Sequence, residues 1–106
     1  MLEPTQVLAA LAPQTGVEAV IRSYGWDDET ALAVFKCENG YNTYGYWRPD
    51  AVSVTGDYGI VQLNAATWNP VFEGFWENWM DPEWNIARGW DVYVRAGYNF
   101  WPWNCY

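Results

Sequence analysis

The sequence predicts a mainly helical α+β domain in which helices carry one small β-hairpin. Three observations predict it. Several segments place apolar residues at helical spacing between cap residues and glycine stops. Only one segment, AVSVTGDYGIVQLN, alternates like a strand pair. The length, 106 residues, fits a single domain spanning 1–106 with a modest core.

The elements follow in order. Residues 3–12 read as a short helix stopped near Pro13. Thr15-Gly16-Val17-Glu18 has the form of a capping box, and behind it Val17, Val20, Ile21 and Tyr24 share a helical face that Gly25 ends. Asp27 or Asp28 caps the next helix, which runs to about Asn39 with Gly40 as its stop. Residues 41–51 are loop-like. Val52–Val54 and Tyr58–Leu63 read as the two strands, with Thr55-Gly56-Asp57 as the turn and Asp57 beside it. Asn64 to Trp68 begins a short helix cut by Pro70, and the aromatic, acidic stretch 71–80 reads as a loop-helix lining a cleft. Asp81-Pro82-Glu83 is a helix start with cap, proline and acid in place, and Ile86, Trp90, Tyr93 and Gly97 line one face up to the stop at Gly97. No repeat and no low-complexity segment is present.

Composition narrows the function. Hydrophobic residues make up 51% and aromatic ones 20%, with nine Trp, which excludes a disordered chain. Most of the Trp belong in the core, but Trp is also a stacking platform for the apolar faces of sugar rings. A net charge of −8 argues against nucleic acid and against anionic membranes as partners. The absence of histidine removes Ser-His-Asp and Cys-His catalysis and any ordinary His metal site, and two cysteines cannot build a structural zinc site. No metal and no cofactor is expected. No membrane-spanning run is read, and the apolar stretch from Val7 to Ala12, with no cation before it, is too short for a signal peptide.

One residue breaks the pattern. Ala31, Val34, Phe35 and Glu38 fall at i, i+3, i+4 and i+7, so a carboxyl closes an apolar stripe at the last turn of its helix. Apolar surroundings disfavour an ionised carboxyl, and the negative end of the helix dipole acts in the same direction. That is the setting of a general acid, although the exposed end of a fraying helix has the same spacing. Asp57 comes from a separate element. Two such carboxyls facing one cleft would suit glycoside hydrolysis, where one protonates the leaving oxygen and the other supports the positive sugar carbon.

These residues resemble the lysozyme-like superfamily. Glu38 at a helix end, followed by Gly40-Tyr41-Asn42, is similar to the E-S-x-x-N neighbourhood of its catalytic glutamate, with Asn39 in place of the usual serine. Gly56-Asp57-Tyr58-Gly59-Ile60-Val61-Gln62-Leu63-Asn64 resembles the T-D-Y-G-I-L-Q-I-N segment of animal-type lysozymes and the G-L-M-Q motif of soluble lytic transglycosylases. Asp81 to Gly89 with Tyr93 resembles the transglycosylase N-x-x-x-G-x-x-Y motif. The Trp-rich end carrying a cysteine looks like that of small actinobacterial muralytic domains.

The resemblance implies a lysozyme-like fold with a sugar-binding groove. It makes Glu38 the general acid and puts Asp57 in the place of the second carboxylate. Gln62, Asn64, Tyr58 and Trp68 become substrate-contacting, and Tyr93 approaches the Glu38 carboxyl. The implied partners are peptidoglycan glycan strands, with chitin oligosaccharides as a related class. The implied reaction is cleavage of the β-1,4 bond from N-acetylmuramic acid to N-acetylglucosamine. The 81–93 motif leans instead to a lytic transglycosylase giving 1,6-anhydro products, and a non-catalytic glycan-binding module is a third reading. Cys37, beside Glu38, and Cys105 would form a bridge worth about 4 kcal/mol in the chain-entropy model, holding Glu38 still. Two reduced, buried thiols are the alternative. A bridge favours an extracellular, cell-wall or virion-associated destination for a monomer, alone or within a larger carrier.

Overall fold

The structure, a computed structural model, describes residues 16–106. The expected helix over 3–12 and the Thr15 half of the capping box lie outside these residues. Residues 16–22 are helical (α1), and Val17 and Ile21 bury the face that their spacing predicts. Helix α2 spans Asp28–Asn39. Asp27 is its cap, accepting from the Thr30 amide at 2.9 Å, and Gly40 ends it in the left-handed region at φ 84°. Within 41–51, read as loop, Tyr41–Tyr44 form one helical turn (α3), closed by Gly45.

The β element departs from the expected hairpin. Strand β1 is only Asp57–Tyr58, and it pairs antiparallel with β2, Leu63–Asn64, in the register Asp57 to Asn64 and Tyr58 to Leu63. Val52 makes one further bridge to Tyr58. Tyr58–Leu63 is therefore not one strand. The chain reverses at 59–62, where Gly59 has φ 83° and Gln62 has φ 57°, and the Gln62 amide bonds to the Gly59 carbonyl at 3.2 Å. Asp57 sits in β1, between this turn and the exposed one at 53–56, and not at the tip of a single hairpin. The physical reason is burial: Ile60 and Val61, at the turn's tip, are fully enclosed in the core, where a continued strand would not have carried them both.

Helix α4, Ala65–Trp68, is capped by Asn64, whose Oδ1 accepts from the Thr67 amide at 3.1 Å. Helix α5 is Phe75–Asn78. Helix α6 spans Pro82–Arg95, starts on the Asp81 cap and buries Asn85, Ile86, Gly89, Val92 and Tyr93. Its burial face thus runs one residue aside of the predicted stripe at Trp90, which is half-buried. The fold class is α+β, mainly helical, with a small two-stranded antiparallel sheet. Among the described residues no helix is long and apolar enough to cross a membrane.

A turn buried in a core leaves peptide groups that need partners. Asn85, with no exposed surface, supplies one of these partners and braces the backbone on either side. Its Oδ1 accepts from the Val61 amide at 2.8 Å, and its Nδ2 donates to the Tyr58 carbonyl at 3.0 Å and the Trp79 carbonyl at 3.1 Å. The Val61 carbonyl accepts from Trp103 Nε1 at 2.8 Å. Asn39, at 1% exposure, ties the end of α2 to the same turn: its Nδ2 donates to the Gly59 and Arg48 carbonyls, and its Oδ1 accepts from the Arg48 amide at 2.9 Å. Asn39 is thus a structural clamp.

A methyl group at Gly59 would meet the Asn85 side chain and would stand 2.7 Å from the Trp79 carbonyl. Gly59→Ala is expected to destabilise the fold by about 3 kcal/mol, combining left-handed strain with a displaced buried amide. Thermal melts followed by near-ultraviolet circular dichroism should show Tm lowered by roughly 10–20 °C. A Tm equal to that of the unaltered chain would mean that the turn is not clamped.

Candidate active site

Glu38 and Asp57 reach one cleft from different elements. The helical stripe of α2 turns Glu38 toward the interior, where Ala31, Val34 and Phe35 are buried and Glu38 itself is half-buried at the margin. The 53–58 segment brings Asp57 to the opposite side. Both line a cavity of about 60 Å³, together with Gln62, Asn64 and Trp68. Its remaining wall includes Pro102, Trp103 and Asn104 from the C-terminal tail. A second cavity of about 300 Å³ adjoins it, sharing Asn64, Trp68, Val92 and Pro102. Together they form one cleft of the size that small ligands occupy.

The tail is held by a disulfide between Cys37 and Cys105, whose Cα atoms are 6.0 Å apart. Such a bond persists in an oxidising environment. Its consequence for the site is direct, because the Cys105 amide donates to Glu38 Oε1 at 2.7 Å. The residue next to the acid in sequence anchors the residue that orients it in space. Glu38 Oε2 has no hydrogen-bond partner among the described residues.

Asp57 is held more fully. Its Oδ2 accepts from Ser53 Oγ at 2.7 Å and from Thr55 Oγ1, and its Oδ1 accepts from Asn64 Nδ2 at 3.0 Å. Partial burial alone would raise its pKa, but the hydrogen bonds from Ser53, Thr55 and Asn64 outweigh it and hold the carboxyl below the usual aspartate value. Asp57 is therefore a fixed negative charge at neutral pH, aimed by three donors.

The other expected site residues divide. Trp68 walls both cavities and stacks on Phe72 with ring centroids 5.1 Å apart. Gln62 lines the cleft, but its Nε2 donates to the Ala51 and Gly59 carbonyls at 3.0 Å each, so only its Oε1 is left to accept from a ligand. Asn64 also lines the cleft, with its amide engaged in capping α4 and bonding Asp57. Tyr58 and Tyr93 do not line it. Tyr58 packs edge-on against Trp76 and Trp79. Tyr93 is buried in an aromatic cluster against Trp26, Trp90 and Phe100 and makes no hydrogen bond to Glu38, whose Oε1 accepts from the Cys105 amide. The stretch 71–80 does not contribute to this cleft either.

The tail wall was missed in sequence reasoning. The signal for it was the cysteine pair: a bridge at Cys37 must bring the residues before Cys105 next to Glu38. Among the described residues no group of three or more Cys, Asp or Glu is placed to hold a metal ion. No protein-family model, no curated protein and no solved structure matches this chain.

Two tests follow from this geometry. A carboxyl whose folded pKa is depressed stabilises fully above its unfolded value near 4, and this contribution is lost as pH falls through the lower folded value. The Tm advantage of the unaltered chain over Asp57→Asn should therefore be constant from about pH 5 to 7 and shrink below about pH 4; an advantage independent of pH would contradict the assignment. Reduction of Cys37–Cys105 should cost about 4 kcal/mol and abolish hydrogen-exchange protection of the Cys105 amide. Persistent protection after reduction would show that the tail docks without the bond.

Proposed function

We propose that this chain is a lysozyme-like muramidase, cutting the β-1,4 bond from N-acetylmuramic acid to N-acetylglucosamine in peptidoglycan. The observation that carries the reading is the cleft shared by Glu38 on α2 and Asp57 on β1, walled by Trp68 and Trp103. The order of the three sequence segments that resemble the superfamily supports it, and so does a disulfide suited to action outside the cytosol.

In this reading Glu38 gives its proton to the glycosidic oxygen as the bond from that oxygen to the sugar C1 breaks. The Cys105 amide, bonded to Oε1, fixes the carboxyl plane for that transfer. Asp57 supplies negative charge beside the developing oxocarbenium-like carbon. Water then adds to C1 and returns a proton to Glu38. Because Ser53, Thr55 and Asn64 already occupy the Asp57 carboxylate, its role is charge and not covalent attack. Trp68 offers a ring for stacking on a sugar face.

The same engagement of Asp57 favours a second reading, in which it serves structure alone. The muramoyl 6-hydroxyl would then attack C1 in place of water, with Glu38 as acid and then base. A 1,6-anhydro sugar would form.

Purified peptidoglycan incubated with the oxidised protein should release soluble muropeptides with reducing ends, detected by mass spectrometry. Glu38→Gln should lower the release at least about 100-fold, as expected for removal of a general acid, with Tm little changed. Anhydro-muropeptides would select the second reading. Wild-type release by Glu38→Gln would remove Glu38 from the chemistry altogether.

A further inference from the structure

The larger cavity carries a feature that bond cleavage at Glu38 and Asp57 does not use. It is lined by Trp68, Trp101, Pro102 and Arg95, at the C-terminal end of α6. Trp101 is 67% exposed, a large aromatic surface left open to solvent beside the carboxylate-lined part of the cleft. Arg95 is the cation of this cleft. The chain has five Lys and Arg against thirteen Asp and Glu, so an arginine has an ample choice of acidic partners. Arg22 pairs with Glu18 and Glu29, and Arg88 with Asp91. Lys36 and Arg48 lie over the rings of Tyr41 and Tyr44. Arg95 makes no ion pair with a carboxylate among the described residues and lies 5.8 Å from the Phe72 ring centroid, the ring on which Trp68 stacks. A guanidinium with open donors, lining the same cavity as two indoles, suits a ligand that has an apolar ring face and a carboxylate.

We infer that Arg95, with Trp101 and Trp68, forms an acid-reading subsite that binds a carboxylate-bearing sugar of the glycan strand next to the bond that is cut. This rests on the glycan reading of the cleft and deepens it. The subsite gives an acidic protein a local point of attraction for an acidic polymer, and it distinguishes such a strand from a neutral chitin-type one. The carboxylate has two sources on a peptidoglycan strand: the lactyl ether of a sugar without a stem peptide, and the stem peptide's own carboxyl groups where one is attached, because attachment turns the lactyl carboxyl into an amide. Arg95 recognises the chemistry that both share.

The test is equilibrium binding, by calorimetry, of three probes to the oxidised full chain carrying Glu38→Gln, which leaves every probe uncut and is the otherwise unaltered chain of this test. The probes are a neutral N-acetylglucosamine tetramer, a peptide-free tetrasaccharide alternating N-acetylglucosamine and N-acetylmuramic acid, and the same tetrasaccharide carrying its stem peptides. The unaltered chain should bind the acidic probes about tenfold more tightly than the neutral one, as a charge-assisted contact predicts. Arg95→Gln should remove that preference and leave the neutral probe's Kd unchanged. Trp101→Ala should weaken all three. Preference for the peptide-free acid assigns the contact to the lactyl carboxylate, and preference for the peptide-bearing probe alone assigns it to the stem. If Arg95→Gln keeps the preference, or if the unaltered chain shows none, the subsite is refuted while the muramidase reading stands. If none of the three probes binds, the glycan reading itself fails, and this inference with it.

Discussion

The fold depends on two buried amides. The turn at 59–62 carries Ile60 and Val61 into the core, and a buried turn is stable only if its N–H and C=O groups find partners. Asn85 and Asn39 provide partners from α6 and from the end of α2, beside Trp103 on the Val61 carbonyl. Each missing bond would leave a desolvated peptide group at a cost of about 1–3 kcal/mol, which is a large fraction of a small domain's stability. The arrangement therefore acts as a cross-brace. It joins the helix bearing Glu38, the strand bearing Asp57 and the long final helix through one short segment of backbone.

The site is a consequence of that brace. With the turn fixed, β1 leaves it in a set direction, and Asp57 meets Ser53, Thr55 and Asn64. Asn64 begins α4, and so Trp68 comes to the cleft four residues later. The tail is tied independently at two points, by Trp103 to the Val61 carbonyl and by Cys105 to Cys37. Both ties converge on the same turn-and-helix region, which is how a terminal segment becomes a rigid wall of a cleft. The Cys105 amide on Glu38 is the last link, and it exists only because the other two set the tail's path.

Much of this was legible where the determining physics is local. The caps at Asp27 and Asp81 and the stop at Gly40 depend on neighbours within four residues, and they stand where the sequence puts them. The apolar stripe ending in Glu38 is likewise a property of one helix. The cysteine count left a Cys37–Cys105 bridge and two reduced thiols as alternatives, and the bridge is the one formed. The β element was less so, since alternation in Tyr58–Leu63 also fits a strand, and only distant Asn85 and Trp103 make a buried turn at Gly59 affordable. Asn39 and Asn85 carry no local mark of burial, because polar residues at helical positions are ordinarily exposed. Tyr93 was placed beside Glu38 by resemblance, and its ring packs in the aromatic cluster of Trp26, Trp90 and Phe100 without a hydrogen bond to that carboxyl.

If the proposed glycan reading holds, charge poses the remaining problem, since a chain of net charge −8 and an anionic glycan repel at long range. Screening decides how much that matters. At physiological ionic strength the Debye length is about 8 Å, so repulsion from carboxylates on the far side of the domain is largely removed before contact. A guanidinium at the proposed subsite lies within that length of the bound sugar's carboxylate, so its attraction survives. Low affinity at low salt and undiminished specificity at physiological salt are then compatible in one molecule. On that reading the acidic surface slows encounter, and the cavity that Arg95 lines with Trp68 and Trp101 sets what is held after encounter. On this argument an acidic sequence is no obstacle to an acidic substrate, provided that its few cations stand where the ligand docks.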